Sequence, residues 1–188
     1  MDSKLQIISG MYRGRKLDLP RGARPTQNRA RIALFNMLES GIIQPNEKIK
    51  VWDTFAGSGA FGIECLSRYP NASVLFTDIA NDSIKTVRNN LNKVDVGVRA
   101  NVIQHDAINA IKKYGADIDL VFLDPPYATP ELGASFVKKF GQIAKNGTIL
   151  VWEQDGENAG VPDANAWEIL RDKQYGRARF LILRKIGE

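Results

Sequence analysis

A glycine-rich stretch, VWDTFAGSGAFG at residues 51–62, constrains the fold of this chain more than any other part of its sequence. The apolar run at residues 49–52 is typical of a buried strand. Three glycines spaced G-x-G-x-x-G follow, and an amphipathic helical pattern begins at Ala60. Because glycine has no Cβ, Gly57 and Gly59 can turn the chain sharply and let a ligand lie against the backbone. Strand, glycine turn and helix in this order predict a ligand site at a helix N-terminus.

The next predicted strand does not settle which ligand this loop binds. Asp78 closes the strand at residues 73–77, about twenty residues beyond the first glycine, where a ribose-binding carboxylate is expected. A dinucleotide and any other adenosine-containing cofactor both need such a carboxylate. The loop and Asp78 therefore predict an adenosine-containing cofactor without identifying its class.

Length and composition are those of one globular domain. The chain has 188 residues, of which 44% are hydrophobic and 25% are charged. A single cysteine, Cys65, excludes an internal disulfide framework and a Cys-rich zinc site, and we expect no metal. The N-terminus lacks the apolar region of a signal peptide, and no apolar run is long enough to span a membrane. We therefore expect a cytoplasmic protein with no membrane partner.

The positive charge is concentrated at one end of the sequence. Residues 1–31 contain eight Lys or Arg against two Asp, a local charge of +6, whereas the rest of the chain sums to −1. A basic patch of this kind is typical of a surface that binds a polyanion. Charge alone favours RNA, DNA and an acidic membrane equally, and a merely solvated basic terminus is the alternative.

The order of the predicted elements favours an α/β fold with a doubly wound, mostly parallel, seven-stranded sheet. Five strands alternate with helices, and two more form an antiparallel C-terminal hairpin; they lie at residues 49–52, 73–77, 100–104, 118–123, 148–153, 167–173 and 177–185. In such sheets ligands bind beyond the carboxyl ends of the strands. Four carboxylates follow predicted strands and should gather at this edge: Asp53, Asp78, Asp106 and Asp124.

A small basic β-hairpin is predicted before the core. Strand-like runs at residues 5–9 and 15–19 flank a turn that is rich in aromatic and basic side chains. The residues expected to contact nucleic acid here are Tyr12, Arg13, Arg15 and Lys16. Such a mixture suits stacking on bases and binding of phosphates.

A helix is predicted between this hairpin and the core. Thr26 can cap it, it extends to about Glu39, and Ile32, Phe35 and Leu38 form an apolar stripe along it. We expect a single domain over residues 1–188, divided into the hairpin appendage at 1–24, the helix and linker at 25–45, and the core at 46–188.

A second motif, Asp124-Pro125-Pro126-Tyr127, follows a predicted buried strand and indicates the chemistry. Two consecutive prolines remove two N–H donors and hold a stiff, extended turn. The Asp124 carboxylate and the Pro125 carbonyl are then acceptors with few internal partners, and Tyr127 supplies a flat face beside them. This arrangement suits the exocyclic amine of a stacked base, with a proline-stiffened loop as the alternative.

Together the two motifs resemble the S-adenosylmethionine-dependent amino-methyltransferases, and more narrowly the RsmD family. The narrower resemblance rests on blocks along nearly the whole chain: IISG at 7–10, GRKL at 14–17, RPT at 24–26, ALFN at 33–36 and DTFAGSG at 53–59. It implies a Rossmann-like fold and methylation of the N2 amine of one guanine in small-subunit (16S) ribosomal RNA. Ile32 and Asp78 stand where the family usually shows Glu; the second change keeps the carboxylate.

The resemblance also implies roles for individual residues. Gly57 and Gly59 would let the methionine portion of S-adenosylmethionine approach, with Asp53 near its amino group. Asp78 would accept the ribose hydroxyls, and Asp106 would face the adenine amine. The implied cofactor-binding set is Asp53, Ala56, Gly57, Ser58, Gly59, Asp78, Asp106 and Ala107. The implied catalytic set is Asp124, Pro125, Pro126 and Tyr127, and the implied border of the pocket is Arg24, Pro25 and Thr26, of which Arg24 and Thr26 are expected to contact RNA.

We expect the protein to be a monomer and its partner to be ribosomal RNA or the small ribosomal subunit. Three other functions compete with this interpretation. A DNA adenine-N6 methyltransferase uses the same Asp-Pro-Pro-Tyr chemistry but normally needs an added target-recognition region. In a NAD-dependent oxidoreductase the glycines would follow the strand directly, whereas residues 53–56 intervene here. A non-catalytic RNA-binding module would bind RNA without methyl transfer.

His105, the single histidine, is not needed as a base, because methyl transfer to an amine requires none at neutral pH.

Overall fold

The computed structural model describes residues 5–23, 28–157 and 160–187, arranged around one seven-stranded sheet. Along the chain the strands are β1 Lys50–Asp53, β2 Ser73–Asp78, β3 Ala100–Gln104, β4 Leu120–Leu123, β5 Ile149–Asp155, β6 Trp167–Tyr175 and β7 Ala178–Lys185. Their order across the sheet is β3-β2-β1-β4-β5-β7-β6. The first five strands are parallel, and β7 is antiparallel to both β5 and β6. The predicted α/β class, strand number and antiparallel hairpin are confirmed.

Helices cover both faces of the sheet. They are α1 Asn28–Glu39, α2 Ala60–Arg68, α3 Asn81–Leu91, α4 Ala107–Tyr114 and α5 Pro130–Gly141. Apolar side chains of α1, α2 and α3 form one hydrophobic core with the sheet, and those of α4 and α5 form the other. Central strands buried on both faces are expected to be continuously apolar, as the four-residue LVFL sequence of β4 is.

One predicted feature of α1 is wrong. Phe35 and Leu38 are fully buried, but Ile32 is 39% exposed and therefore does not belong to the apolar stripe. The predicted cap, Thr26, lies outside the described residues, as do Arg24 and Pro25. Within the described ranges, no helix is both long and apolar enough to cross a membrane.

The N-terminal segment forms less β-structure than predicted. Residues 6 and 16 make a single antiparallel bridge in place of two paired strands. A fully buried carboxylate on α2, that of Glu64, holds part of this segment. This carboxylate accepts the backbone N–H groups of Ile8 at 2.8 Å and Ser9 at 2.9 Å, and the Nε–H of Arg68 at 2.7 Å. The N-terminal segment is thus attached to the helix that follows the glycine loop.

Candidate active site

The carboxyl ends of β2, β1 and β4 lie side by side and bring the two sequence motifs together. Asp53 ends β1, opposite Phe76 of β2 on one side and Phe122 of β4 on the other. The backbone N–H of Thr54 donates to the Phe122 carbonyl at 3.1 Å, two residues before Asp124. The glycine loop and the Asp-Pro-Pro-Tyr segment therefore leave the sheet at adjacent positions.

The glycine loop has the backbone conformation that the sequence predicts. Gly57 and Gly59 have φ values of 54° and 75°, in the left-handed region that favours glycine. A Cβ built on Gly57 would have only the Phe55 carbonyl oxygen, at 4.0 Å, within reach, so the space above this residue is open. The Ser58 carbonyl accepts a hydrogen bond from the Asn90 side chain at 2.8 Å, which fixes the loop against α3. A ligand can therefore approach the backbone at Gly57.

The Asp78 carboxylate closes the other side of this loop. Its Oδ2 accepts the N–H of Gly57 at 2.9 Å, and its Oδ1 accepts the N–H of Ala80 at 2.9 Å. Because each carboxylate oxygen has a second acceptor position, both remain able to accept a ligand hydroxyl. The predicted ribose-binding side chain is thus held rigidly beside the open space.

Asp106 lies next to Asp78 at the end of β3. The N–H of His105 donates to the Asp78 carbonyl at 3.0 Å and joins the two strand ends. The Asp106 carboxylate caps α4 by accepting the N–H of Asn109 at 2.8 Å, and Ala107 beside it is buried. Asp78 and Asp106 therefore occupy adjacent strand ends, as predicted. The His105 ring packs edge-on against Tyr114.

Asp53 is the most deeply buried carboxylate at this edge. It is 1% exposed and accepts one hydrogen bond, from the N–H of Gly62 at 3.1 Å. Burial raises its pKa to about 8, and the nearby charge of Asp78 adds to this effect. A cation beside Asp53 would favour the ionised carboxylate.

Asp124 is partly buried and lies in a strongly acidic environment. Burial raises its pKa well above the usual value, and the charges of Glu153 and Asp53 raise it further. Its carboxylate accepts no hydrogen bond from residues 5–23, 28–157 or 160–187. Asp124 therefore presents free acceptor oxygens at the edge that carries Asp53.

Tyr127 lines a cleft at the end of β5. The cleft is small and is lined by Pro125, Pro126, Tyr127, Pro130, Trp152, Glu153, Gln154 and Asp155. The Tyr127 hydroxyl donates to Oε1 of Glu153 at 3.1 Å. The guanidinium carbon of Arg177 lies 5.5 Å from the centre of the Tyr127 ring, and Asp155 holds that guanidinium with contacts as short as 2.6 Å. Tyr127 is therefore held by a hydrogen bond at its hydroxyl and by a cation–π contact over its ring.

Sequence analysis missed Glu153, which the structure places at this site. Its sequence signal is the same as that of the other four carboxylates, because Glu153 comes at the end of the predicted strand at residues 148–153. Burial raises its pKa to about 7, while the hydrogen bond from Tyr127 acts in the opposite direction. Glu153 is one more carboxylate at the carboxyl edge.

The predicted RNA-contacting residues have different environments. Tyr12 is 8% exposed, and its hydroxyl donates to the Asp95 carbonyl, so the predicted stacking role is wrong: the ring belongs to the core. Arg13, Arg15 and Lys16 are exposed, as their proposed role requires. Arg24 and Thr26 lie outside the described residues.

The site is built from hydrogen-bond acceptors and aromatic surface. It can bind amines, hydroxyls and cations, and it can hold a flat ring next to Tyr127. In the described ranges, no group of three or more His, Cys, Asp or Glu side chains is placed to hold a metal ion.

Known proteins resemble this chain over almost its whole length. A family model described as Conserved hypothetical protein 95 matches residues 5–184. Ribosomal RNA small subunit methyltransferase D of Escherichia coli (strain K12) is 33% identical, with 97% of this chain and 90% of that protein covered. The putative methyltransferase yhhF from Escherichia coli has a solved structure with a TM-score of 0.82 and 29% identity, covering 98% of this chain and 99% of that one.

A more distant structure shares the fold. An RNA methyltransferase from Salinibacter ruber, solved in complex with S-adenosyl-L-homocysteine, has a TM-score of 0.67 at 18% identity, covering 88% of this chain and 95% of that chain. Fold, the order of the two motifs and near full-length similarity agree with one another. The chain belongs to the RsmD family, whose members include ribosomal RNA small subunit methyltransferase D.

Proposed function

We propose that this protein transfers a methyl group from S-adenosylmethionine to the exocyclic N2 amine of a guanine in the ribosomal RNA of the small subunit. One observation carries the proposal: the Asp124 carboxylate, which accepts no hydrogen bond from the described residues, lies beside the strand end from which the glycine loop begins. The rRNA methyltransferase name of the 33% identical relative supports the substrate class. A ribosomal substrate also favours a cytoplasmic enzyme, and we expect it to act as a monomer.

The residues at the glycine loop fit S-adenosylmethionine. This compound supplies a methyl group on a positively charged sulfur. The open space at Gly57 admits a ligand to the backbone, and the Asp78 oxygens suit the two ribose hydroxyls. Asp53 is a buried carboxylate that a cation would stabilise, which suits the amino group of the methionine portion. Asp106, with Ala107 beside it, suits the amine of the adenine.

The Asp-Pro-Pro-Tyr segment fits the acceptor base. The lone pair of a base amine is conjugated with the ring, so the nitrogen is a weak nucleophile. Hydrogen bonds from this amine to the Asp124 carboxylate and the Pro125 carbonyl favour a pyramidal nitrogen and stabilise the positive charge that develops on it. Tyr127 stacks on the ring and fixes its orientation. The base must first leave any stack that it occupies, which costs a few kcal/mol.

Methyl transfer to defined nucleic acids tests the proposed function. The purified protein is incubated with tritiated S-adenosylmethionine and either unmethylated small ribosomal subunits, free 16S RNA or duplex DNA. We expect label in ribosomal RNA, recovered as N2-methylguanosine by mass spectrometry of nucleosides. Label in duplex DNA as N6-methyladenine would favour the DNA methyltransferase, and RNA binding without label would favour the non-catalytic module.

We expect cofactor affinity to depend on pH through Asp53. Its pKa is about 8 in the free protein, so most molecules carry a protonated Asp53 at pH 5.5. A bound cation requires the ionised form, and the affinity should therefore rise between pH 5.5 and 7.5, by up to about tenfold per pH unit. Isothermal titration calorimetry with S-adenosylmethionine measures this slope.

The Asp53→Asn variant should bind more weakly and lose the pH dependence. Asp117→Asn is the matched control, because Asp117 is 70% exposed in its side chain and precedes β4 at the opposite edge of the sheet. A slope that persists in Asp53→Asn would place the cofactor's amino group elsewhere.

We expect the exposed basic residues of the N-terminal segment to set the salt dependence of RNA binding. Changing Arg13, Arg15 and Lys16 together to Gln removes up to three phosphate contacts. Because each contact contributes roughly 0.7–0.9 to the slope of log affinity against log salt, the slope should become shallower by about 2. Filter binding of 16S RNA at several salt concentrations measures it.

A triple variant on the opposite helices is the control for net charge. Lys112, Lys138 and Lys139 are exposed on α4 and α5, and their change to Gln removes the same charge. If both triple variants change the slope equally, the RNA surface is not centred on the N-terminal segment.

A further inference from the structure

Glu153 is a buried acid with one oxygen that nothing in the proposed reaction uses. The residue is 3% exposed, and its Oε1 accepts the hydrogen bond from Tyr127. In the described part of the chain, its Oε2 is buried and has no hydrogen-bond partner. Buried acceptors without a partner are rare in folded proteins because the lost hydration is not replaced. Such an oxygen in the wall of a binding cleft points to a donor that arrives with the ligand.

The position of Glu153 relative to Asp124 indicates which ligand group this donor belongs to. Leu123, the last residue of β4, is paired in register with Trp152 of β5; Asp124 directly follows β4, and Glu153 is the next residue of β5. Adjacent strands are about 4.8 Å apart, and residues in register on parallel strands project from the same face. The charge of Glu153 also acts on Asp124. The two carboxylates therefore form a pair of neighbouring acceptors, of which Glu153 lines the cleft.

Guanine and adenine differ in what they offer to such a pair. The pairing edge of guanine carries two adjacent donors, the N2 amine and the ring N1–H. The corresponding edge of adenine carries the N6 amine and a ring N1 with a lone pair. A carboxylate opposite that lone pair is repelled, whereas a carboxylate opposite N1–H accepts a hydrogen bond.

We propose that Glu153 is a specificity-determining residue that accepts the ring N1–H of the target guanine while Asp124 holds its N2 amine. This inference rests on the proposed function and adds the basis for choosing guanine over adenine. Pro126 and Tyr127 line the same cleft as Glu153.

A base analogue tests the inference without disturbing the protein. Two otherwise identical RNAs carry either guanine or 2-aminopurine at the methylated position. 2-Aminopurine keeps the N2 amine but has a lone pair at N1. We expect the wild-type enzyme to methylate the guanine RNA roughly 10- to 100-fold faster, measured as kcat/KM. Equal rates on the two RNAs would overturn the inference.

The Glu153→Gln variant assigns this preference to one side chain. With its carbonyl oxygen on Tyr127, the glutamine places its amide N–H₂ where Oε2 was, and this donor matches the lone pair of 2-aminopurine. The ratio of the two rates should therefore fall to near one or reverse. An unchanged ratio would overturn the role of Glu153.

Tyr127→Phe separates recognition from positioning. It removes the hydrogen bond to Glu153 and keeps the ring, so it should lower the rate on both RNAs and leave their ratio unchanged. If it changes the ratio as much as Glu153→Gln does, Glu153 acts only by holding Tyr127 and the inference fails. If the wild-type enzyme methylates neither RNA, the proposed function fails and the inference with it. The wild-type comparison remains decisive even if a variant does not fold.

Discussion

Replacing Asp124 with alanine should lower the rate of methyl transfer by about 10²- to 10³-fold and leave the affinity for S-adenosylmethionine nearly unchanged. The carboxylate accepts no hydrogen bond from the described residues, so its removal breaks none among them. In the proposed reaction, what is lost is the acceptor that holds the amine as positive charge develops on its nitrogen. Single-turnover kinetics with saturating cofactor measure the rate, and calorimetry measures the affinity.

The opposite end of the same strand offers a matched control. Asp119, just before β4, pairs on the surface with Lys145 at 2.6 Å. The Asp119→Ala variant should transfer methyl groups at the wild-type rate. If Asp124→Ala also keeps its turnover, the Asp-Pro-Pro-Tyr segment does not hold the base and another group must do so.

Replacing Glu64 with alanine should lower the free energy of unfolding by about 3–5 kcal/mol. This fully buried carboxylate receives two backbone N–H groups from the N-terminal segment and the guanidinium of Arg68. Arg31, also buried, lies 4.0 Å from it. Without Glu64, Arg31 loses its compensating charge, Arg68 keeps only its pairing with Glu39, and the two N–H groups lose their acceptor. Urea denaturation followed by circular dichroism measures the change.

An exposed ion pair is the control, because it shows how much a surface carboxylate contributes to the free energy of unfolding. Glu168 and Arg184 are paired at 3.4 Å with both side chains about half exposed. In the Glu168→Ala variant the free energy of unfolding should fall by less than about 1 kcal/mol. Comparable losses in the two variants would mean that Glu64 does not anchor the N-terminal segment.

Most of the fold could be predicted because its signals are local. The predicted strand at residues 100–104 has the bounds of β3, and β4 begins two residues later than predicted, at Leu120. Helical spacing predicts Ile32 in the apolar stripe of α1, because it gives the period of an apolar face but not which residues at its border are covered. The approach of Asp53 to Asp124 followed from a topological rule, since ligands bind where parallel strands end.

The contacts that the sequence could not reveal are those between distant residues. The hydroxyl of Tyr12 is bonded to a carbonyl 83 positions along the chain, and nothing near Tyr12 in the sequence indicates that its ring is buried. Glu64 accepts the N–H groups of Ile8 and Ser9, which precede it in the sequence by 56 and 55 positions. The relevance of Glu153 to the site follows from its hydrogen bond with Tyr127, which lies 26 residues earlier in the sequence. Each of these roles depends on which elements become neighbours.

β7 lies between β5 and β6 and is antiparallel to both. This position affects when the site can be completed during translation. Every residue proposed to bind the cofactor lies between positions 53 and 107, so this half exists early on a growing chain. The guanidinium over Tyr127 comes from Arg177, and β5 gains its outer partner only with β7. A nascent polypeptide that has emerged only through β5 therefore carries the residues proposed to bind the cofactor but not the finished wall of the cleft at Tyr127.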